Sequence, residues 1–545
     1  MAICYTLKSV GLNLEVLLNC TPNQKLMGTF RYLMTVGMGT LIALSDIGAS
    51  FGQTEASGDR LPSPAPENAS PSEETQDKTA PRGGLQAQGV TPTIENVPEY
   101  LTPNPNPLQF PTEPDEVEIV GTQPLTLEQA LQIAEQNSQQ LQEALLTVER
   151  NSAALRESRA ALYPNLGVQS TLSRSNSTGA DLGNQRQRQQ LGDNAPPAEG
   201  GSTSLDGGVE LTYNLYNSGR RSSQIGFAET QLLVSELDLE RVLADLRLEV
   251  REAYYNLQEA DDQIEISLSA VQSSEQSLRD AEALERAGLG TRFDVLRARV
   301  QLADAAQSLT QAQAQQRIRR REIARILNVS QVVDISAAEP VEISGLWNLS
   351  LEDSIVLALR NRAELEQLLL QRELTDYQRQ IALSALGPQV SLFANYNVVE
   401  IFGDDLNLAD GYNLGGRVQW NLYDGGAARA RAVQEERNIE IAETRFGQFR
   451  NQVRLQVEQA FFNLRSNFEN IQTSNIAVDQ ARESLRLARL RFQAGVGTQT
   501  DVLTAETELT RALNNRLRAI VTYNRALAAM ERAIGNVNEA LISRP

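Results

Sequence analysis

The stretch Leu215-Tyr216-Asn217-Ser218-Gly219 decides the fold, because it recurs as Leu422-Tyr423-Asp424-Gly425-Gly426, 207 residues further along the chain. In both places an alternating apolar stretch comes before it and a long helical pattern follows. The sequences Ala253–Leu257 and Ala460–Leu464 match at the same offset. An offset maintained over this distance indicates an internal duplication.

A second pair of motifs lies where each long helical pattern ends. Ala287-Gly288-Leu289-Gly290-Thr291 corresponds to Ala494-Gly495-Val496-Gly497-Thr498, and Asp-Val-Leu follows shortly after each. Near the start of the two units the offset is 224 instead of 207, so the first unit contains an insertion. This insertion lies between about Thr171 and Gly207 and is rich in Gly, Asn and Gln. Its composition predicts a loop.

Each unit is predicted to contain a helix, two strands, a long helix and a shorter helix. Helical periodicity covers about Leu125–Tyr163 and Leu349–Leu386, and a proline stops each of these helices. The strands are predicted from alternation, since apolar residues occupy every second position. The apolar positions in these stretches are Val209, Leu211, Tyr213, Leu215, Val390, Leu392, Ala394, Tyr396, Leu414, Val418, Trp420 and Leu422. Phe393 is the exception on the opposite face.

The long helices contain heptads. In the first unit Leu243, Val250, Leu257, Ile264, Val271 and Leu278 are spaced by seven, and in the second Val457, Leu464, Ile471, Val478 and Leu485. A companion column in the first unit, from Leu246 to Ala281, is mostly Ala and Ser. This pattern predicts a left-handed supercoil with closely approaching helices. An ordinary two-stranded coiled coil has the same heptads. The lengths further predict that the two shorter helices of a unit lie end to end beside its long helix.

The predicted strands suit the wall of an outer-membrane barrel, which uses tilted strands with one apolar face. Four strands cannot close a barrel, and an open sheet edge is not viable in lipid. Several copies of the chain must therefore contribute strands. The alternative is a pair of soluble hairpins that cap a helical bundle.

The composition excludes several classes of function. The 545-residue chain has no His, and Cys4 and Cys20 are its two cysteines. No Lys follows Lys78. Catalytic triads, Schiff-base lysines and zinc sites therefore have no candidate residues, and we predict no enzyme activity, no cofactor and no metal. The net charge of -20 argues against a nucleic-acid partner. The scattered acidic residues of the helices are interpreted as solvated.

The N-terminal part is predicted to be an export signal followed by an arm. Lys25 and Arg31 precede the apolar stretch Tyr32–Leu44, and small residues follow, which is the order of a secretory signal. A short membrane anchor is the alternative. Residues 51–120 contain 12 of the 20 prolines and 12 acidic residues, which predicts a disordered arm. Val117–Val120 is predicted to form a short strand.

These patterns divide the chain into six parts. They are residues 1–50 with the signal, the arm 51–120, the first repeat 121–330, a linker 331–348, the second repeat 349–537 and a C-terminal tail 538–545. The predicted fold class is mainly α with a membrane β-barrel.

The paired motifs at 215–219, 422–426, 287–291 and 494–498 resemble those of the TolC-like outer-membrane efflux protein family. The resemblance covers roughly residues 125–537, and the Pro-rich arm is similar to that of cyanobacterial members. It implies a homotrimer with a twelve-strand barrel in the outer membrane and a twelve-helix tunnel across the periplasm, with 331–348 in an equatorial region. It also implies the partners: a periplasmic adaptor (membrane fusion) protein, an inner-membrane pump of the ABC or RND type, and outer-membrane lipid.

The resemblance also implies roles for residues at the helical turns. Gly290, Thr291, Gly497 and Thr498 match the family's adaptor-docking tip. Asp501 matches an aspartate of the family's closed entrance, where three copies would form an acidic ring. The family often has a second acid three residues on, where this chain has Thr504, and Asp294 is the candidate to replace it. Two plainer roles remain open, because Gly also permits a tight turn and Asp also stabilises a helix N-terminus.

The function predicted from this resemblance is an exit duct that exports small molecules or proteins in a tripartite efflux or type I secretion system. The alternative is a secreted periplasmic coiled-coil scaffold or adaptor protein.

Overall fold

The computed structural model describes residues 101, 108, 110–119, 121–175, 178–192, 202–402, 408–535 and 542–543. The predicted signal in residues 1–50 lies outside these ranges, and so do most of the predicted arm and most of the C-terminal tail. Within these ranges, no helix has an apolar stretch of the length that a membrane span requires.

The described part of the chain contains nine α-helices and eight β-strands. In chain order they are β1 (Gly121–Leu125), α1 (Leu127–Asn137), α2 (Gln139–Ala160), β2 (Asn165–Ser175), α3 (Thr178–Leu191), β3 (Ser202–Tyr216), α4 (Arg220–Arg286), α5 (Arg292–Ile326), β4 (Val333–Ala337), β5 (Leu346–Trp347), α6 (Leu351–Asn361), α7 (Ala363–Ser384), β6 (Gln389–Phe402), β7 (Ala409–Gln419), α8 (Ala427–Gln493), α9 (Gln499–Ile534) and β8 (Ile542–Ser543). The chain is mainly helical, as predicted.

Each predicted first helix is in fact two helices. Ser138 separates α1 from α2 and has extended backbone (φ -63°, ψ 119°), and its hydroxyl accepts a hydrogen bond from the Leu141 N–H. Arg362 separates α6 from α7 with nearly the same dihedral angles. The prediction of one continuous helix was wrong at both places, because side-chain contacts hold these residues outside the helical region.

Two local predictions in the first repeat were also wrong. The insertion between Thr171 and Gly207 is not a simple loop, because the end of β2, the helix α3 and the start of β3 occupy much of it. The strand predicted at Val117–Val120 was placed too early in the sequence. A 3₁₀ helix spans Pro114–Val117, and the strand β1 begins at Gly121.

The long helices α4 and α8 have 67 residues each, which corresponds to about 100 Å of helix. α4 packs against α2, α5, α7 and α9, and α8 packs against α6, α7 and α9. Each long helix is thus flanked by the shorter helices of its own unit, as the lengths predicted. Packing against several neighbours excludes an ordinary two-stranded coiled coil.

The two heptad patterns are buried to different extents. In α8 the apolar column is buried throughout, with Val457 at 0% and Leu485 at 6% exposure. In α4 Val250 and Leu257 are buried, whereas Ile264, Val271 and Leu278 are partly exposed. The companion column of α4 is buried along its whole length, from Leu246 to Ala281. Small residues therefore form the main seam of α4, since they let neighbouring helices approach closely.

Two small sheets lie beside the middle of the long helices. β1 pairs in parallel with β4, and β5 pairs antiparallel with β8, so the segment 331–348 contributes two strands. The largest core surrounds this region and contains the fully buried Tyr254 and Leu257. The Tyr254 hydroxyl donates a hydrogen bond to the Leu125 carbonyl oxygen at 3.1 Å. Burial raises the pKa of this hydroxyl, so it stays protonated and keeps that hydrogen bond.

The third sheet has four antiparallel strands in the order β2-β3-β6-β7. It joins the hairpins of the two units through the β3–β6 pair. At one end of this sheet, both hairpins continue into the long helices α4 and α8.

Candidate functional site

The four-stranded sheet has one apolar face that the described chain does not cover. The register places Val168, Val209 and Tyr396 side by side, and the next row contains Leu166, Leu211 and Ala394. The exposed apolar side chains of this face are Leu166, Val168, Leu172, Val209, Leu211, Leu392, Tyr396, Tyr412, Leu414 and Val418. Val168 is 78% exposed and Val418 is 70% exposed. A contiguous apolar face of this size indicates contact with lipid or with another protein.

The opposite face of the sheet is largely polar. Glu210 and Asn395 lie side by side there, in the row next to Thr212 and Phe393. Phe393, the exception in the alternating pattern, covers Gly415, and the Arg417 guanidinium lies 5.4 Å from the centre of its ring. An apolar outer face and a polar inner face are the arrangement of a membrane barrel strand.

Among the described residues, the two outer strands of this sheet each have one unpaired edge. Within the described residues, β2 and β7 each have a neighbouring strand on one side. Their outer edges therefore present backbone N–H and C=O groups that need partners, because an unsatisfied backbone group is costly in lipid.

Exposed aromatic side chains gather where the strands meet the helices. Tyr163, Tyr216, Trp420 and Tyr423 are all more than half exposed. The Trp420 indole N–H donates a hydrogen bond to the Leu386 carbonyl oxygen at 2.9 Å, which fixes the ring at the end of the sheet. A cluster of exposed amphipathic aromatic residues is typical of a membrane–water interface.

At the far ends of the long helices, the two Gly-containing turns have the same structure. Gly288 and Gly495 both have φ of +73°, which favours glycine. Gly290 and Gly497 have another reason to be glycine. A Cβ atom on Gly497 would lie 3.0 Å from the Phe492 backbone nitrogen, and one on Gly290 would lie 3.1 Å from that of Glu285.

Thr291 and Thr498 begin the shorter helices α5 and α9. Each accepts a hydrogen bond from the backbone N–H of the aspartate three residues later, and that aspartate accepts one from the threonine N–H. Asp294 and Asp501 are therefore the second members of capping boxes. The hydrogen bond from the Thr498 N–H lowers the pKa of Asp501 below its ordinary value. The structural role of both aspartates in the helix start is thus observed.

The two turns lie next to each other. The Arg297 guanidinium donates a hydrogen bond to the Thr500 hydroxyl at 2.6 Å, which joins α5 to α9. No contact between Asp294 and Asp501 is present among the described residues. Leu289 and Val496, at the points of the turns, are 80% and 69% exposed.

A buried polar cluster between α4, α8 and α9 was not predicted. Glu506 is 5% exposed and accepts hydrogen bonds from Arg489 at 2.9 Å and Ser273 at 3.1 Å. Arg489 also contacts Ser273, and the Gln499 amide donates to Ser277 at 3.2 Å. Burial raises the pKa of Glu506. The interpretation of all helical acids as solvated was therefore wrong at Glu506. Ser273 and Ser277 lie one helical turn apart on the same face of α4. This spacing was the one feature of the sequence that could have indicated a polar contact there.

The sequence matches the outer membrane efflux protein family over residues 130–329 and 354–536. The chain belongs to this family.

The chain is also similar to individual named proteins. It is 25% identical to the protein CyaE of Bordetella pertussis over 60% of this chain and 69% of CyaE. It is 25% identical to the alkaline protease secretion protein AprF of Pseudomonas aeruginosa over 57% of this chain and 65% of AprF. Among solved structures, the outer membrane channel MtrE of Neisseria gonorrhoeae matches with a TM-score of 0.63 and 18% identity, over 75% of this chain and 88% of MtrE.

The family match confirms the resemblance, the outer-membrane location and the role as an exit duct that the sequence predicted. The secreted coiled-coil scaffold is not favoured. The family and the matched structures are channel proteins rather than enzymes.

Proposed function

We propose that three copies of this chain form one channel-tunnel, with a twelve-strand barrel in the outer membrane and a twelve-helix tunnel in the periplasm. The observation that carries this proposal is the sheet with an uncovered apolar face and two unpaired edges. Joining β7 of one copy to β2 of the next removes every edge. Two copies would give eight strands, whose interior is just filled by side chains. Three copies leave a lumen that a duct needs.

The first experiment measures assembly and pore formation together. The full-length chain, purified in detergent, is expected to have about three times the 60.0 kDa mass of one chain by mass photometry. The same material should form pores in planar bilayers. A monomer that forms no pore would contradict the proposal.

We further propose that the two turns dock a periplasmic adaptor protein, which joins the duct to an inner-membrane pump of the ABC or RND type. Gly290, Thr291, Gly497 and Thr498 hold the turns in shape and present Leu289 and Val496 outward. Similarity to AprF, whose name describes protease secretion, supports protein export as one use of the duct.

Val496 is the best position at which to test docking. Changing Gly497 would disturb the turn itself, whereas Val496→Glu alters an exposed side chain. We expect Val496→Glu to reduce export at least several-fold while trimer yield stays normal, because a charge replaces an apolar contact. Val356→Glu, on an equally exposed valine of α6, is the matched control. Equal export by both variants would remove the docking assignment.

We propose that Asp501, with Asp294, contributes to an acidic ring at the tunnel entrance. Three-fold symmetry would bring three copies of each carboxylate around one axis, which favours cations. The bilayer recordings on Asp501→Asn test this role, because cation preference should fall. An unchanged preference would leave Asp501 with its capping role.

A further inference from the structure

The first two turns of both long helices are basic in a strongly acidic protein. α4 begins with Arg220 and Arg221, and its first acidic residue is Glu229. α8 contains Arg429 and Arg431, and its first acidic residue is Glu435. Each helix start has two arginines, but the local sequences differ, since α4 starts Arg-Arg-Ser-Ser and α8 starts Ala-Ala-Arg-Ala-Arg. The chain as a whole has a net charge of -20.

Helix stability does not account for these four arginines. The N-terminus of a helix carries partial positive charge, so a basic side chain in the first turn is unfavourable. In the part of the chain that the structure describes, the side chains of Arg220, Arg429 and Arg431 form no hydrogen bond or ion pair. All three are exposed.

The nearby acidic groups are already engaged. Asp424 accepts hydrogen bonds from the backbone N–H groups of Gly426 at 2.9 Å and Ala428 at 2.7 Å. Glu229 pairs with Arg159 at 2.6 Å. Arg221 donates to the Asn214 carbonyl oxygen at 2.8 Å, where the β3 register is irregular. Both hydrogen bonds of the Arg221 guanidinium use Nη1, so Arg221 is held against the end of the sheet while its Nη2 has no described partner. The other three guanidinium groups are wholly available.

The position of the four arginines points to a ligand. Along the direction from the sheet to the long helices, they come directly after the exposed aromatic side chains Tyr163, Tyr216, Trp420 and Tyr423. These side chains in turn come after the apolar face of the sheet. From sheet to helix the order is thus apolar, aromatic and then basic. A bilayer has the same order of hydrocarbon, interface and phosphate.

We propose that Arg220, Arg221, Arg429 and Arg431 bind the phosphate groups of anionic phospholipids in the periplasmic leaflet of the outer membrane. A guanidinium group suits this ligand because its N–H groups match a phosphate in a bidentate arrangement. The trimer would carry twelve such arginines around its circumference. This inference rests on the proposed insertion of the sheet in the membrane.

The test compares two triple variants of the full-length protein. Arg220→Gln, Arg429→Gln and Arg431→Gln remove the three unpaired arginines and leave Arg221 in place. Arg445→Gln, Arg450→Gln and Arg511→Gln form the control, since these arginines are also exposed and without a described partner. The net charge changes equally in both. Arg445 lies about 27 Å along α8 from its start.

Phosphatidylglycerol is added to each detergent-purified trimer, and the bound lipid is counted by native mass spectrometry. We expect the wild type and the control to retain it, and the first variant to bind at least about tenfold more weakly. Inorganic phosphate at millimolar concentration should not displace the lipid. Retention of phosphatidylglycerol by the first variant would overturn the proposal, and so would full displacement by inorganic phosphate.

Two further measurements separate this inference from the proposed function. Trimer mass and pore conductance are recorded for each variant, and both should remain normal. Normal pores with unchanged lipid retention reject the lipid site alone. If the wild type forms neither trimers nor pores, the proposed function fails and the lipid site fails with it. Should the triple variant not fold, Arg429→Gln with Arg431→Gln provides a smaller change on α8 that must still reduce lipid binding.

Discussion

The helix α9 packs mainly against α8 and α4, and these two seams differ in chemistry. Toward α8 the seam is mainly apolar, with Leu485, Val502 and Ala505 in one cluster and Val478 and Ala512 in the next, and the Arg489–Glu506 ion pair is its charged contact. Toward α4, Leu517, Val521 and Ala528 of α9 join the largest apolar core, but the seam also carries a series of polar and charged contacts. These contacts are Ser273 with Glu506, Ser277 with Gln499, Glu259 with Arg525 at 2.6 Å, and Asp245 with Arg532 at 2.6 Å.

The difference follows the duplication. α8 and α9 belong to the same unit and are joined by a turn, so their seam is the apolar interior of one hairpin. α4 belongs to the other unit, and its contact with α9 joins the two units. Apolar burial depends little on pH or salt, whereas ion pairs and buried carboxyl groups depend on both. We therefore expect the hairpin seam to be the stronger one and the seam between units to be the adjustable one.

The largest expected effect comes from breaking the apolar seam. Ile471 on α8 is 3% exposed, and Ile264 is its counterpart on α4, 207 residues earlier and partly exposed. Ile471→Ala should lower the free energy of unfolding by about 2–4 kcal/mol, because it leaves a cavity, and Ile264→Ala by about 1 kcal/mol. The measurement is the thermal midpoint of each variant in detergent. Equal shifts would show that the two helices are not packed differently.

Removing Glu506 from the polar seam should have a smaller effect. Glu506→Ala leaves Arg489 and Ser273 without their acceptor, which should cost about 1–3 kcal/mol of unfolding free energy. Glu506→Gln keeps an acceptor oxygen and should cost less than the alanine variant. The control is Glu483→Ala, which breaks an exposed pair with Arg486 and should leave the thermal midpoint unchanged. If the alanine and glutamine variants behave alike, the hydrogen bonds to Glu506 do not stabilise this seam.

The sequence predicted those features that repeat or have a local cause. The duplication, the strands of the four-stranded sheet, the long helices and both turns follow from periodicity and from glycine, whereas the two small sheets were not predicted. The break at Arg362 could not be predicted, because its causes are distant in sequence. The Arg362 side chain is buried and donates hydrogen bonds to Gln456 at 3.1 Å and to the Ala533 carbonyl oxygen at 3.2 Å.

In the candidate site, too, the features with a local cause could be predicted and those with a distant cause could not. The capping role of Asp294 and Asp501 is local, since the threonine three residues earlier is visible in the sequence. The burial of Glu506 is not local. In sequence Glu506 resembles every other helical acid, and it is buried because Ser273 of the other unit lies against it, 233 residues away.

The smallest expected effect concerns Asp262 on α4. The positive charge of Arg516 on α9 lowers the pKa of this carboxyl group, but other effects outweigh it. Burial raises the pKa of Asp262 to about 6, and the negative charges of Glu265 and Asp261 contribute. The ordinary pKa of an unfolded aspartate is about 3.9. The folded protein therefore binds a proton that the unfolded chain has already lost between about pH 4 and pH 6. The stability contributed by Asp262 is fully present below about pH 4 and is lost as the pH rises through 6.

Asp262→Asn removes this titration and tests whether the polar seam responds to pH. At pH 7 the variant should be more stable than the wild type by about 1 kcal/mol, since solvent reduces the effect of a half-buried charge, and at pH 4 the two should be equal. The measurement is the difference in thermal midpoint across this range, and Asp304→Asn, on an exposed residue of α5, is the control. A constant difference from pH 4 to pH 7 would mean that Asp262 keeps its ordinary pKa. Any response of the polar seam to pH would then come from Glu506 rather than from Asp262.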